Sequence, residues 1–193
     1  MRRAAWVLVA LLAACEGGRQ QAAGGSETVA SYGLGRAPTA EELAAWNISV
    51  NPSGTNLPPG QGSVAEGKVV FAAQCASCHG DAGQGTPPQY PQLVGKDPTD
   101  FSFDNDFKIT HTIGNYWPYA TTLYDYINRA MPLTAPGSLK PPEIYAVVAY
   151  LLAANGVIAD SAVMNAQTLP DVKMPAREHF VVDDRVGGGA SFR

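Results

Sequence analysis

Cys75-Ala76-Ser77-Cys78-His79 puts two thiols and an imidazole into five consecutive residues. C-x-x-C-H is the attachment pattern of a c-type haem. Thiols at this spacing can add to the two vinyl groups of one porphyrin, and the adjacent imidazole then lies beneath the iron as its proximal ligand. Two other chemistries use paired thiols. A thioredoxin-like redox pair belongs in a βαβ pattern, which is not evident around residue 75. A structural zinc site needs more thiols or imidazoles than 3 Cys and 3 His can supply once this cluster is assigned. The pattern therefore predicts one covalent haem c through Cys75 and Cys78, with His79 on the iron. The other ring nitrogen of His79 needs a hydrogen-bond acceptor to fix its orientation and tautomer.

The elements that must position these residues are helical. Thr39-Ala40-Glu41-Glu42 has capping-box spacing and predicts a short helix through Trp46. Ser63-Val64-Ala65-Glu66 is a second such box, opening a helix to about Gln74 that delivers the chain to Cys75. Gly67 and Phe71 share a face of that helix. Gly80 to Gly95 is too rich in Gly and Pro for a regular element. Leu123, Tyr126, Ile127 and Ala130 recur at helical spacing over Tyr119 to Ala130, which stops at Met131-Pro132 because a proline disfavours α geometry in the residue before it. Pro142 to Ala154 carries the clearest apolar stripe (Ile144, Val147, Val148, Leu151, Leu152), with a proline at its start and Asn155-Gly156 as its cap. No internal repeat, coiled-coil heptad or substantial strand pattern is evident.

The domain reading is a targeting segment over 1–14, a flexible tether over 15–31, an N-terminal extension over 32–62, a helical domain over 63–156 and a C-terminal arm over 157–193. Arg2 and Arg3 precede an apolar run, Ala4 to Leu12, that is too short to span a bilayer. Leu12-Ala13-Ala14-Cys15 resembles a bacterial lipobox, which predicts lipidation at Cys15 and a membrane-anchored, periplasmic lipoprotein. The competing reading is an ordinary secretory signal, and either one places the chain outside the cytoplasm. The Gly-, Gln- and Ser-rich tether would span about 20–25 Å. With 13 basic and 17 acidic residues the whole chain carries −4, and losing Arg2 and Arg3 makes it more acidic. No nucleic-acid partner is expected of such a chain, whereas a basic rim on a redox partner is.

Beyond the haem motif, Pro91-Gln92-Leu93-Val94-Gly95 matches the P-x-L-x-G loop of class I cytochromes c, and the chain resembles that family. The resemblance implies an all-α fold of three to four helices around one haem, with irregular N- and C-terminal extensions. It implies that the Pro91 carbonyl accepts from His79, that Leu93 packs on the porphyrin, and that the first and last helices cross at Gly67, Phe71 and Tyr150. The sixth iron ligand is expected from Met131, which lies between the third and last helices where the family carries its methionine. A thioether favours ferrous iron and raises the potential. His111, Met164, Met174 and His179 are the rivals, and His111 would give a bis-His haem of lower potential. Trp117, Tyr119, Tyr116 and Arg129 could hold the haem propionates, although the aromatics could equally close the apolar core.

The run Ile113 to Pro132 is similar to the cytochrome subunits of bacterial sulfite and sulfane (Sox-type) dehydrogenases. The similarity extends through Ala135 to Leu139, Tyr145 to Leu152, Tyr32 to Arg36, Leu169-Pro170 and Val172 to Pro175. It implies an electron-transfer subunit, not itself an enzyme, that takes electrons singly from a molybdopterin dehydrogenase subunit and passes them to a downstream cytochrome or oxidase. The chain departs from that family in carrying one haem motif where two modules are usual, in Lys140-Pro141-Pro142 at a helix start expected to be more acidic, and in its lipid anchor. The alternatives are a membrane-tethered electron shuttle serving a terminal oxidase, and a haem enzyme or gas sensor with an open sixth position.

Overall fold

The computed structural model describes residues 33–95, 101 and 110–181. The targeting segment, Cys15, the tether, Tyr32 and the Gly187 to Gly189 tail lie outside the described residues. The chain divides into two units, Met1–Thr39 and Ala40–Arg193. Within the first, residues 33–39 form bends and extended chain.

The second unit is built from helices. α1 (Ala40–Trp46) is followed by β1 (Gln61–Ser63), α2 (Val64–Gln74), the single turn α3 (Ala76–His79), the short α4 (Ile113–Tyr116), α5 (Ala120–Ala130) and α6 (Pro141–Ala154). β2 (Val163–Asn165) and a 3-10 helix (Pro175–His179) complete the described residues. The Ser63 capping box is formed: Ser63 N donates to Glu66 Oε2 at 2.8 Å and Glu66 N donates to Ser63 Oγ at 3.3 Å. Those bonds occupy backbone donors that a helix start otherwise leaves open. The Ser63 hydroxyl, which also donates to Glu66 Oε2 at 2.7 Å, and then the Ser63 N–H hold the Glu66 carboxyl below its ordinary value.

α2 and α6 cross where Gly67 has no side chain. A Cβ there would lie 1.8 Å from the Ala146 carbonyl oxygen, so only hydrogen permits this approach. One turn on, Phe71 packs on Tyr150 with ring centroids 5.0 Å apart. The apolar stripe of α6 is wholly buried at Ile144, Val148 and Leu152, against Phe71 of α2 and Leu123 and Ile127 of α5. Burying each such side chain contributes about 1.5–3 kcal/mol before the entropy of ordering it is set against that.

The helices fall close to their expected spans. α6 begins one residue earlier, at Pro141, and Tyr119 is the cap of α5 and not its first residue. The strands were not expected. β1 pairs antiparallel with β2 in the register Gly62↔Met164, joining the N-terminal extension to the C-terminal arm. Three-residue strands are too short to show alternation in sequence. The extension is also bonded to the helices: Val50 N donates to Asp125 Oδ1 at 2.8 Å, Thr121 Oγ1 to the Pro52 carbonyl at 3.1 Å, and the Tyr145 hydroxyl to the Pro58 carbonyl at 2.9 Å. In the arm, Met164, Leu169, Met174 and Ala176 are all buried.

Candidate functional site

The pentapeptide Cys75–His79 is one helical turn. His79 N donates to the Cys75 carbonyl at 2.9 Å, and Gly80 N donates to Ala76 at 2.8 Å. Residues three and four apart on a helix share a face, so Cys75, Cys78 and His79 are presented to the same side. Gly80, at φ 77°, ends the turn. Both thiols are unbridged and half-buried. Before haem attachment, burial, with Cys78 alongside, pushes the Cys75 thiol up to about 11.

His79 is fixed from the following loop. Its Nδ1 lies 3.0 Å from the Pro91 carbonyl oxygen, which leaves Nε2 as the nitrogen available to a metal. The loop closes on itself: Gly85 N donates to the His79 carbonyl at 2.7 Å, and Leu93 N and Val94 N both donate to the Gly83 carbonyl, at 2.8 and 3.0 Å. Thr86 Oγ1 donates to the Cys78 carbonyl at 2.8 Å. Tyr90 approaches His79 edge-on with centroids 6.4 Å apart, and a hydrogen bond to Cys78 pushes its phenol up. No sequence rule singled Tyr90 out, although its place immediately before Pro91 puts it beside the imidazole.

Other expected site residues are placed as follows. Met131 caps α5, half-buried against the core, with its N–H on the Ile127 carbonyl at 3.1 Å. Leu93 and Trp117 are also half-buried apolar groups packed on the core, and Trp117 meets Tyr126 edge-on at 5.8 Å. Tyr119 lies beneath the Arg177 guanidinium at 4.9 Å. Arg129 is paired with Asp125, one turn back on α5, a partner the sequence did not indicate. Among the rivals for the sixth position, Met164 and Met174 are buried in the arm's own packing. His111 stacks on Tyr116 at 3.9 Å and His179 stacks on Phe101 at 4.1 Å.

This donor set fits a covalent haem. Two thiols and one imidazole share a face, and the imidazole has Nδ1 engaged and Nε2 open; Leu93, Trp117, Met131 and Leu139 are half-buried apolar side chains packed against the core. Among the described residues no cluster of three or more His, Cys, Asp or Glu could hold a bare metal ion.

A cytochrome c family model matches residues 64–155, from the start of α2 to the residue after α6. A solved structure, the sulfane dehydrogenase SoxCD from Paracoccus pantotrophus, contains a chain 41% identical to this one. The match covers 81% of this chain and 75% of that one, with a TM-score of 0.70. The chain belongs to the cytochrome c family. The cytochrome carries covalent haem c on Cys75 and Cys78, and its fold is the helical class I arrangement with a small added sheet. It is also 34% identical over 129 residues to a thiosulfate dehydrogenase from Stutzerimonas stutzeri, and that match covers 64% of the chain but only 37% of the relative. The cytochrome is thus an electron-transfer domain related to subunits of sulfur-compound dehydrogenases.

Proposed function

We propose that the cytochrome is the electron-transfer subunit of a molybdenum-dependent dehydrogenase acting on sulfite or another sulfur compound, and that it hands electrons singly to a respiratory acceptor outside the cytoplasm. The observation that carries this reading is the reach of the SoxCD match. At 81% of the chain it runs well beyond the haem domain of residues 64–155, into extensions that haem attachment alone does not require. Haem iron supplies a one-electron ferric–ferrous couple. In this reading His79 Nε2 would hold the iron, while the Pro91 carbonyl, 3.0 Å from Nδ1, orients the ring. Met131 would supply the other ligand, Leu93 would pack on the porphyrin, and Trp117, Tyr119 and Arg129 would hold the propionates. Arg129 would share its guanidinium with Asp125 in doing so. Lipidation at Cys15 would confine the cytochrome to a membrane surface and leave a tether for it to meet both donor and acceptor.

The test is to isolate the native assembly and follow haem reduction on adding sulfite or thiosulfate. A molybdenum-containing partner that co-purifies, with substrate-dependent reduction of the haem, is the expected result. A cytochrome that purifies alone, is not reduced by either substrate, and is rapidly reoxidised by a terminal oxidase would overturn the proposal in favour of a tethered shuttle.

A further inference from the structure

Asn155 was expected only to cap α6. It is 7% exposed, and each half of its amide meets two backbone groups. Oδ1 accepts from Gly95 N at 3.0 Å and from Gly114 N at 3.1 Å. Nδ2 donates to the Leu93 carbonyl at 3.2 Å and to the Leu151 carbonyl at 2.8 Å. Asn155 therefore joins the end of α6, the first turn of α4 and the loop that carries Pro91. Ile113 N donates to the same Leu93 carbonyl at 3.0 Å, so the far side of the loop has no slack. The near side is held by Gly83, which accepts from Leu93 N and Val94 N.

Gly114 makes room for this amide, and Gly95 makes room for Thr112 beside it. A Cβ on Gly114 would lie 2.8 Å from Asn155 Oδ1 and 2.9 Å from its Cβ, and one on Gly95 would lie 2.6 Å from Thr112 Cγ2. Only an amide serves here. It offers two acceptor lone pairs and two N–H donors in one plane, where a carboxylate would set oxygen against two carbonyls.

We propose that Asn155 is the positioning residue of the haem's proximal side: it sets the place of the Pro91 carbonyl and thereby the strength of the hydrogen bond to His79 Nδ1. Asn155 does not act on the iron itself. It anchors residues 93 and 95, Pro91 stands two residues before the first of them, and its carbonyl meets the imidazole at 3.0 Å. A ligating histidine donates better when its second nitrogen is firmly bonded, so loosening the brace weakens the ligand and favours ferrous iron. The proposal rests on the haem attachment, and not on the identity of the dehydrogenase partner.

The test uses haem-loaded protein and reads solvent exchange of the His79 Nδ1 proton by NMR, together with the haem midpoint potential. Asn155→Ala removes all four bonds. Gly114→Ala, whose new methyl displaces the amide while leaving Asn155 in the sequence, is the independent second variant. Both should speed exchange of the Nδ1 proton at least tenfold and move the potential upward. Leu169→Ala, which opens a cavity in the C-terminal arm away from this loop, is the control for general destabilisation and should do neither. Exchange within twofold of the parent in the variants that fold would overturn the proposal. So would an equal acceleration in Leu169→Ala.

Discussion

Cys75, Cys78 and His79 share a face because a single helical turn spaces them so, and the Pro91 carbonyl engages Nδ1 and leaves Nε2 as the nitrogen open to a metal. Met131 is the residue whose role is most open to test. It ends α5 and keeps its backbone N–H on Ile127, so its side chain can be shortened without disturbing the helix. In Met131→Ala the methionine–iron absorption band of the ferric protein should vanish and the midpoint potential should fall, since a thioether is the ligand that stabilises ferrous iron. Retention of the band would assign the sixth position to another residue. Asp125 shows what residue-level reading of the sequence missed. Its carboxylate receives the Val50 backbone N–H and the Arg129 guanidinium at once, yet in sequence it is an ordinary polar position on a helix.

The elements follow local signals closely where those signals are dense. The Ser63 box starts α2, proline starts α6, and the apolar stripe Ile144, Val147, Val148, Leu151 and Leu152 is buried as its spacing predicts. The crossing of α2 on α6 rests on one missing side chain. Gly67→Ala sets a methyl 1.8 Å from a backbone oxygen that cannot move aside without displacing α6. A loss of about 3 kcal/mol or more is expected, at or above the upper end of the usual range for overpacking. Urea unfolding of the haem-loaded variant measures it, and a loss under about 1 kcal/mol would mean that the two helices separate more easily than this packing implies. α3, α4 and the 3-10 helix were not foreseen, because elements of four or five residues carry too few positions to display a period.

At the scale of the whole second unit, Val50 and Leu57 of the N-terminal extension and the buried side chains of the C-terminal arm share the packing of the haem domain. Leu169, Met174 and Met164 are buried in the arm, and burying each is worth about 1.5–3 kcal/mol. Ending the chain at residue 156 should therefore lower the melting temperature markedly and open the α5–α6 region to protease. A truncated protein that melts with the full chain would show the arm to be dispensable. Alkaline pH probes the same packing. Burial pushes the Tyr145 phenol up to about 12, and Tyr124, beside it at 4.7 Å, is pushed up in the same way. A phenol with a higher pKa folded than unfolded contributes stability that is complete below about pH 10, its unfolded value, and is lost as pH rises through the folded value. Urea midpoints should fall steadily between about pH 10 and 12, and less steeply in Tyr145→Phe; a flat profile would contradict the assignment. The sequence by itself determined the haem attachment and the spans of the main helices, because covalent spacing and helical period are properties of neighbouring residues. The tertiary structure alone decided that Asn155 holds Gly95 across a separation of 60 residues, that Val50 meets Asp125 across 75, and that β1 finds β2. The first two are hydrogen bonds from backbone N–H groups to distant side chains and the third is a backbone ladder; polar groups taken out of water must find partners, and no local pattern records which partner the fold will bring within reach.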